Sequence, residues 1–345
     1  MKRDRQHFVR AKSASGSWLR FGRRVLILSI AFIVAMELVA RHIIGLGDPV
    51  LYRADAQIEY LLAPSSTYHR YGHVIRCNAY SMRSDDFTAR KQNDAELRVM
   101  VIGDSVVNGG AAVDQNDLAT ELLKRELSAK LNRPVIVGNI AAGGWSPDNE
   151  LAYARQFGLF DADVVIVVLN TSDLVDPPLK GSLGPDTPVR KPVLALEEAV
   201  RRGLPWLTSK LVSPAPISEG ELNQISRDQL NALCELLELA KSSGANVLVV
   251  QHAKQHEVGP DMTGRHFELA QAVRECGVES VFTGPAYERA DDRRGGTLFR
   301  DEIHLNTRGQ QVLGQVLVDN VMRLQNADQR FAARGAWHLA SARMP

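Results

Sequence analysis

Two short polar motifs contain the residue types that carry out nucleophilic catalysis. The first, GDSVVNG, spans Gly103–Gly109, and the second, DEIHLN, spans Asp301–Asn306 near the end of the chain. A serine hydroxyl becomes a nucleophile when an imidazole accepts its proton, and a carboxylate fixes the tautomer of that imidazole. Asp301 and His304 are three residues apart, which sets both side chains on one side of a backbone turn. Ser105, His304 and Asp301 are therefore the candidate catalytic residues.

Two further segments offer groups that stabilise a developing oxyanion. GNIAAGGWSPDN spans residues 138–149, where Gly144 has a backbone N–H that no Cβ shields and Trp145 has a flat apolar face. NTSD spans residues 170–173 and supplies polar side chains. Each well-placed oxyanion donor contributes roughly 2.7–4 kcal/mol to transition-state stabilisation. A turn that merely needs glycine and a helix N-cap at Asp173 are the alternative interpretations.

Apolar runs that alternate with amphipathic segments precede these motifs. Five of them have the composition of buried strands: VMVIG (Val99–Gly103), VIVGN (Val135–Asn139), DVVIVVLN (Asp163–Asn170), NVLVVQ (Asn246–Gln251) and the weaker VESVF (Val278–Phe282). Leucines at helical spacing fill Asp117–Leu131, and the last helix is predicted to begin near Asn306. The alternation predicts an α/β fold in which helices cover both faces of a parallel sheet. Ligands bind at the C-terminal ends of strands in such sheets, so the motifs are predicted to meet in one crevice.

The regular alternation is interrupted over residues 177–216. This segment holds eight of the fifteen prolines of the chain, so we expect neither regular helix nor a central strand in it. Because it follows the third strand, it is either a lid that shapes the substrate site or a solvated linker. Residues 326–345 form the predicted tail, which we expect to be dispensable beyond about Gln329.

The charge of the chain is distributed unevenly. The formal net charge is +1, yet the first 24 residues contain eight basic residues and one acidic residue. The remainder of the chain is therefore slightly acidic. General binding of nucleic acid needs a basic face that neutralises phosphates, so we expect no nucleic-acid partner.

An apolar segment follows the basic leader formed by residues 1–24. Val25–Met36 is an uninterrupted apolar run, which reaches spanning length only if the helix continues to Leu46 past Glu37 and Arg41. Glu37 and Arg41 are one helical turn apart and are expected to pair. We expect a retained signal anchor over residues 25–46 that contacts the lipid bilayer, with a cleaved signal as the alternative. The leader then stays in the cytoplasm, and the body lies in the periplasm or outside the cytoplasm as part of a single-pass inner-membrane protein.

The three cysteines do not have the spacing of a metal site. Cys77, Cys234 and Cys276 form no CxxC pair. One disulfide is possible in an oxidising compartment, but Cys234 and Cys276 both fall in amphipathic helical stretches. We therefore expect buried small apolar side chains at these positions. We also expect no metal and no cofactor.

Taken together, the motifs resemble those of the SGNH (GDSL) hydrolase superfamily over about residues 98–325. The resemblance implies a flavodoxin-like three-layer α/β/α sandwich with strand order 2-1-3-4-5. The nucleophile of that family falls on Ser105, and its second-block glycine, an oxyanion donor, falls on Gly144. The aspartate and histidine of its DxxH motif fall on Asp301 and His304.

The third block of the family departs from its usual GxND pattern. Here the four residues are Asn170-Thr171-Ser172-Asp173, so Ser172 stands where the oxyanion-stabilising asparagine is expected. Three interpretations follow from this difference. The Ser172 hydroxyl donates, or Asn170 reaches in from two residues back, or the third donor is missing and activity is reduced.

Residues upstream of the nucleophile resemble those of one branch of the superfamily. CNAYSMRSDDF (Cys77–Phe87), in the connecting region 47–97, is similar to the NSxGxR segment of membrane-anchored, exopolysaccharide-associated members, although Met82 replaces the usual glycine. The short anchor is also similar to that group. The resemblance implies an acylated carbohydrate of the cell envelope as substrate, with acetyl as the acyl group. Trp145 and Trp206 are candidates for stacking on sugar rings, with buried packing as the alternative for each.

These observations favour a serine esterase that forms an acyl-enzyme on Ser105. An O-acyltransferase would use the same residues and differ only in excluding water. A membrane-tethered protein that binds carbohydrate without catalysis is the rival class, because the third block is altered. An esterase directed at lipids beside the membrane is a further alternative.

Overall fold

The computed structural model describes residues 15–175, 183–184, 187–209, 217–262, 264–294 and 296–341, with helices and strands that follow one another along most of the chain. In chain order these elements are α1 (Ser15–Val39), β1 (Tyr52–Asp55), β2 (Glu59–Leu62), β3 (Ser66–Arg70), β4 (His73–Cys77), β5 (Leu97–Gly103), α2 (Ser105–Asn108), α3 (Ala119–Leu131), β6 (Val135–Ala141), α4 (Pro147–Phe157), β7 (Val164–Leu169), α5 (Ala195–Ser209), α6 (Glu219–Ser242), β8 (Asn246–Gln251), α7 (Arg265–Glu275), β9 (Glu279–Phe282), α8 (Gly284–Arg294) and α9 (Thr307–Ser341). A π-helical turn, Ala40–Ile44, continues α1.

Five strands form one parallel sheet with the order β6-β5-β7-β8-β9. This order is 2-1-3-4-5 when the strands of the sheet are numbered along the chain, which confirms the predicted topology. Every residue of β5 and of β7 is buried. A strand that is buried on both faces needs apolar side chains pointing both ways, which explains the continuous apolar runs. The weaker fifth run also forms a strand, β9.

Helices cover both faces of the sheet, as predicted. Met100 and Ile102 of β5 pack in one apolar core with residues of α4, α6 and α7. Val99 and Val101 of the same strand pack in a second core with residues of α3, α8 and α9. Successive side chains of a strand point to opposite faces, so one strand supplies both cores. The three-layer α/β/α fold class is therefore confirmed.

The connecting region before the sheet contains two β-hairpins that the sequence pattern did not indicate. Strands β1 and β2 pair antiparallel, and so do β3 and β4. Their side chains are buried against the rest of the protein at several positions, among them Tyr60, Leu61 and Tyr68. The strands are only four or five residues long, so each is too short to show a clear alternation of apolar and polar residues.

Helix α5 lies inside the segment for which we expected no regular helix, so that expectation was wrong. The segment holds many prolines, but residues 193–204 contain none, so α5 begins at Ala195 in a proline-free stretch and includes one proline, Pro205, nearer its end. Proline destabilises a helix only where it interrupts the hydrogen-bond ladder, so the overall proline content was a poor guide. The prolines at positions 177, 178, 185, 214 and 216 fall outside the described residues.

The N-terminal helix is long enough and apolar enough, by length and composition, to cross a membrane over Trp18–Ile44. Arg41 pairs with Glu37 at 2.8 Å near its end, as expected. Glu37 also accepts hydrogen bonds from the backbone N–H groups of Ala195 and Leu196 at 2.8 and 3.1 Å. The end of the apolar helix is thereby attached to the first turn of α5.

Cys234 and Cys276 form a disulfide, with their Cα atoms 5.7 Å apart. The expectation that both are unpaired apolar side chains was therefore wrong. The helical pattern placed each cysteine on or beside a helix, but it contained no information on which helices are neighbours. Cys77 is a buried free cysteine.

A buried arginine fastens the connecting region to the residues that follow β5. Arg83 is 1% exposed, and its guanidinium donates to the carbonyl groups of Asn108 at 2.7 Å, Gly110 at 2.6 Å and Val113. Burial lowers the pKa of Arg83 to about 10, so the group remains charged at neutral pH. One side chain thus satisfies three carbonyl groups of a loop that has little regular structure of its own.

Replacing this arginine is expected to destabilise the fold. The Arg83→Met substitution keeps an apolar stem and leaves three carbonyl groups without their donors. We expect the free energy of unfolding to fall by about 3 kcal/mol. The matched control is Arg155→Met, because Arg155 is exposed and pairs with exposed Glu235, and it should cost less than about 1 kcal/mol. Thermal unfolding of the detergent-solubilised chain measures both, and equal midpoints would contradict the role of Arg83.

Candidate active site

The candidate nucleophile lies at the C-terminal edge of the sheet, where β5 turns into α2. Asp104 precedes this short helix, and its carboxylate accepts the backbone N–H of Val106 at 2.8 Å. At Gly103 a Cβ atom would lie 2.9 Å from the carbonyl oxygen of Val168, so the close approach of the two strands requires glycine. Ser105 is the first residue of the helix and is half-buried. Its hydroxyl therefore stands above the end of a rigid strand.

The structure brings Ser105, His304 and Asp301 together although 199 residues separate the first two. The Ser105 Oγ lies 2.9 Å from the His304 Nε2, and the His304 Nδ1 lies 2.8 Å from the Asp301 Oδ2. The backbone N–H of His304 also donates to Asp301 at 2.8 Å. Burial acts to raise the pKa of Asp301, but the hydrogen bonds from His304 and Ile303 hold it below its ordinary value.

The partners of His304 determine which ring nitrogen carries the proton. An ionised carboxylate only accepts hydrogen bonds, so the Nδ1 that faces Asp301 is protonated. In the neutral ring the Nε2 is then the acceptor for the hydroxyl of Ser105. This is the arrangement in which an imidazole can remove the proton of a serine.

Asp104 is a further carboxylate beside the nucleophile, for which the sequence motifs predicted no role. It is 4% exposed, accepts a hydrogen bond from the Asn170 Nδ2 at 3.1 Å, and has its Oδ2 3.4 Å from the Ser105 Oγ. Burial raises the pKa of Asp104 to about 6. Asp104 therefore connects the nucleophile with the end of β7. Its position as the residue that caps α2 was the pattern that could have identified it.

The predicted glycine donor lies in a tight turn beside the nucleophile. A Cβ atom on Gly143 would lie 3.8 Å from the Cβ of Ser105. The next residue, Gly144, is exposed and has a φ of +79°, a conformation that favours glycine. The backbone of this turn is thus available at the crevice.

Trp145 follows that turn, and its side chain packs in the protein interior. Its side chain is 2% exposed, its indole N–H donates to the carbonyl of Tyr60 at 3.1 Å, and its ring contacts Tyr153. The Tyr60 hydroxyl donates to the carbonyl of Gly143. These contacts favour the buried-packing alternative for Trp145 over stacking on a sugar. The side chain of Trp206 lies outside the described residues.

The two candidates for a third oxyanion donor have different surroundings. Asn170 is 1% exposed, and its amide group donates to Asp104 at 3.1 Å and to Asp173 at 2.7 Å. Its side-chain carbonyl accepts the backbone N–H of Ser172 at 2.7 Å. Both hydrogens of the Asn170 side-chain amide are therefore directed at carboxylates. Ser172 is partly exposed, which leaves its hydroxyl as the better candidate.

A buried histidine holds the backbone next to His304. The Nε2 of His252 lies 2.9 Å from the carbonyl oxygen of Ile303, and its Nδ1 lies 2.9 Å from the hydroxyl of Tyr287. A carbonyl oxygen only accepts, so the Nε2 carries the proton and the Nδ1 accepts from Tyr287. Burial lowers the pKa of His252 to about 4, so the ring is neutral at neutral pH. The backbone N–H of Gln255 holds the carbonyl of Glu302 at 2.8 Å in the same way.

A second pair, formed by partly buried Glu257 and buried His266, holds the turn after β7. The Glu257 carboxylate accepts from the hydroxyl of Thr171 at 2.9 Å and lies 3.1 Å from the His266 Nε2. Burial acts to raise the pKa of Glu257, but hydrogen bonds, mainly from His266, lower it to about 2. The loop after β8 thereby positions both the DxxH segment and the NTSD segment. His252 follows β8 directly, and its place at a strand end was the pattern that could have identified it.

Within the residues that the structure describes, no group of three or more His, Cys, Asp and Glu side chains is arranged to hold a metal ion.

The sequence matches the GDSL-like Lipase/Acylhydrolase family over residues 101–312, which is more than half of the chain and includes Ser105, Gly144, Ser172, Asp301 and His304. The fold and the match define the class of protein, a carboxylic ester hydrolase with a parallel α/β sheet. The chain belongs to the GDSL-like lipase/acylhydrolase family. No curated protein matches it significantly.

Several solved structures are similar to this chain at low sequence identity. The acetyl xylan esterase AlAXEase is 13% identical, and the match covers 65% of this chain and 100% of that one with a TM-score of 0.42. The esterase EstA from Pseudoalteromonas sp. is 12% identical, with coverages of 66% and 98% and a TM-score of 0.38. CEX, a two-domain esterase active on acetylated mannans, is 11% identical, with coverages of 67% and 50% and a TM-score of 0.44.

Loss of the contact between His252 and Ile303 is expected to slow ester hydrolysis. The His252→Phe substitution keeps a buried ring but removes the donor to the carbonyl of Ile303, so His304 loses part of its support. A displacement of about 1 Å can cost about 100-fold, so we expect kcat/KM to fall by roughly 10- to 100-fold. The measurement is turnover of a chromogenic acetyl ester by the full chain.

The control for this prediction is His252→Gln, because the glutamine amide can donate in place of the imidazole N–H. We expect glutamine to restore most of the lost kcat/KM. A structural role alone would lower the unfolding midpoint equally in both variants. Wild-type turnover by a folded His252→Phe protein would contradict the positioning role.

Proposed function

We propose that this protein is a serine esterase in which Ser105 is the nucleophile, His304 the general base and Asp301 the residue that orients the base. The observation that carries the proposal is the 2.9 Å contact between the Ser105 Oγ and the His304 Nε2. It joins the first residue of α2 to a residue before α9, and it uses the ring nitrogen that is free to accept. His304 is 31% exposed at its side chain, so the crevice remains open to a substrate.

The reaction begins with transfer of the Ser105 proton to the His304 Nε2. The serine oxygen bonds to the carbonyl carbon of the ester, and the carbonyl oxygen becomes an oxyanion. The backbone N–H groups of Ser105 and Gly144 and the hydroxyl of Ser172 stabilise that oxyanion, because Asn170 already donates to two carboxylates. The Asp301 carboxylate stabilises the imidazolium that has formed.

Collapse of the tetrahedral intermediate breaks the bond to the alcohol. The imidazolium of His304 gives its proton to the leaving alcohol oxygen, and the acyl group stays on Ser105. A water molecule, deprotonated by His304, then attacks the acyl-enzyme; the bond between the acyl carbon and the Ser105 oxygen breaks, His304 returns its proton to that oxygen, and the carboxylic acid leaves. A sugar hydroxyl in place of that water would give acyl transfer with the same residues.

The proposed substrate is an acyl ester, with acetyl as the acyl group, on a glycan of the cell envelope. Two features of the sequence support it. The segment Cys77–Phe87 resembles that of exopolysaccharide-associated members, and the apolar helix follows a strongly basic leader. In this topology the helix anchors the protein in the inner membrane, and the residues after Leu46 face the periplasm. Trp206 remains the proposed contact for a sugar ring.

Removal of the serine hydroxyl is expected to abolish hydrolysis. We expect Ser105→Ala to lower kcat for a chromogenic acetyl ester by at least about 1,000-fold, because the covalent intermediate cannot form. A fluorophosphonate probe should label the wild-type chain and not the variant. The matched control is Ser243→Ala, an exposed serine after α6, which should keep full activity.

Two outcomes would contradict this assignment. Equal turnover by Ser105→Ala and wild type would show that Ser105 is not the nucleophile. Glycan binding without probe labelling in either protein would favour the non-catalytic alternative. Release of acetate from envelope polysaccharide by wild type, and not by His304→Ala, tests the substrate by mass spectrometry.

The assignment of the third oxyanion donor gives a separate prediction. Ser172→Ala should lower kcat by about 100-fold and leave KM nearly unchanged, because the donor acts on charge that develops in the transition state. Ser172→Asn supplies the residue usual in the family and should keep or raise kcat. Steady-state kinetics of the two variants test whether Ser172 is the third oxyanion donor. An unchanged kcat in Ser172→Ala would exclude it.

A further inference from the structure

Two adjoining cavities lie outside the candidate catalytic residues. The larger, of about 470 Å³, lies between α5 and the segment that precedes it. The smaller, of about 130 Å³, shares Pro49, Pro188 and Arg202 with the larger cavity and extends to Asn108 and Gly110, just after the nucleophile helix. Neither cavity is lined by Ser105 or His304. Nothing in the proposed reaction uses them.

Arg70 contributes an unsatisfied buried donor to the smaller cavity. The residue is 2% exposed, and its Nη2 donates to Glu198 and, at 2.8 Å, to the hydroxyl of Tyr71. Its Nη1 is buried and has no hydrogen-bond partner. A buried charged donor without an acceptor destabilises the folded protein. An acceptor bound in the cavity would remove this destabilisation.

The walls of the cavities carry more positive than negative charge. Among the described lining residues are four arginines, at positions 70, 190, 201 and 202, and two glutamates, at positions 197 and 198. Guanidinium groups bind phosphate with two parallel hydrogen bonds, which makes them the usual partners of phosphate oxygens. The prolines and Val189 add an apolar wall to the larger cavity. An amphiphile with a phosphate group fits this combination.

The contacts between α5 and the end of the apolar helix indicate a membrane as the source of such a ligand. Glu198, in the wall of the larger cavity, accepts the backbone N–H of Gly47 at 2.7 Å, three residues after the helical turn that continues α1. Arg41 donates to the carbonyl of Val193 at 3.3 Å, and Val193 itself is 79% exposed. The cavity wall is therefore fastened to the end of the helix that the proposed function places in the bilayer. Lipid phosphates lie at that level of a membrane.

We propose that the two cavities bind the phosphate group of a membrane lipid, with Arg70 and Arg202 holding its oxygens and the apolar wall contacting its glycerol region. The source of the phosphate rests on the membrane placement in the proposed function, whereas the phosphate chemistry rests on Arg70 and the cavity alone. Bound phosphate joins β3, α5 and the loop after the nucleophile helix, so it fixes the catalytic domain against the membrane surface.

The test measures binding to the full chain in detergent and does not involve ester turnover. Three ligands are compared by native mass spectrometry and thermal shift: phosphatidylglycerol, diacylglycerol with the same acyl chains, and inorganic phosphate. We expect saturable binding of phosphatidylglycerol, none of diacylglycerol, and at least a tenfold loss of affinity in Arg70→Met. Arg202→Gln, at a partly exposed position, should lose affinity similarly while keeping the fold.

The control is Arg155→Gln, which removes an exposed arginine that pairs with Glu235, and it should bind as wild type does. Phosphatidylglycerol binding that is unchanged in Arg202→Gln and Arg70→Met would overturn the site. Binding of inorganic phosphate alone, with the same dependence on Arg70 and Arg202, would confirm the phosphate chemistry and overturn the lipid source. Because an inactive Ser105→Ala protein should bind the lipid normally, failure of the esterase proposal stays distinguishable from failure of this one.

Discussion

The hydrogen bond between Ser105 and His304 is the interaction on which the rest of the structure depends. It joins two residues that are 199 positions apart, so no local pattern of the chain can create it. Parallel strands make it possible, because their carboxyl ends all meet at one edge of the sheet. Ser105 follows β5 at this edge, and His304 comes from the loop that precedes α9. The two apolar cores keep the sheet and the helices in a fixed relation, and therefore keep the two side chains within contact.

Polar groups around the site hold the neighbouring backbone and side chains in place and take no direct part in the proposed reaction. Asp104 connects Ser105 with Asn170, His252 holds the carbonyl of Ile303, and Glu257 holds Thr171. Each of these groups is satisfied by hydrogen bonds, which is the condition for burying a polar side chain. Such networks fix geometry because a partner that moved would leave a buried group unsatisfied. The loops of the crevice gain their rigidity in this way.

The connecting region before the sheet and helix α5 after β7 also contact the segments that surround the site. Tyr60 of the first hairpin supports the turn at Gly143, and Arg83 fastens the loop after the nucleophile helix. Glu37 at the end of the apolar helix holds the first turn of α5. A chain of contacts thus runs from the apolar helix through α5 to Arg70 at the end of β3. Catalytic domain and proposed anchor are joined by packing and hydrogen bonds as well as by the covalent linker.

From its own pattern the sequence predicted the five strands and the three residues that meet above the sheet, whereas the order of the strands was implied by the resemblance to the SGNH (GDSL) hydrolase superfamily. The periodicity of apolar residues in strands and helices indicates which side chains are buried, and GDS and DxxH are short motifs that can be read from local sequence. It did not determine the hairpins, the helix at Ala195–Ser209, the disulfide between Cys234 and Cys276, or the burial of Trp145. It also gave no indication of Asp104, His252 or Arg70. These features depend on which surfaces meet across long stretches of chain, and only the folded structure decides that, since contacts between distant segments leave no periodic trace in either partner.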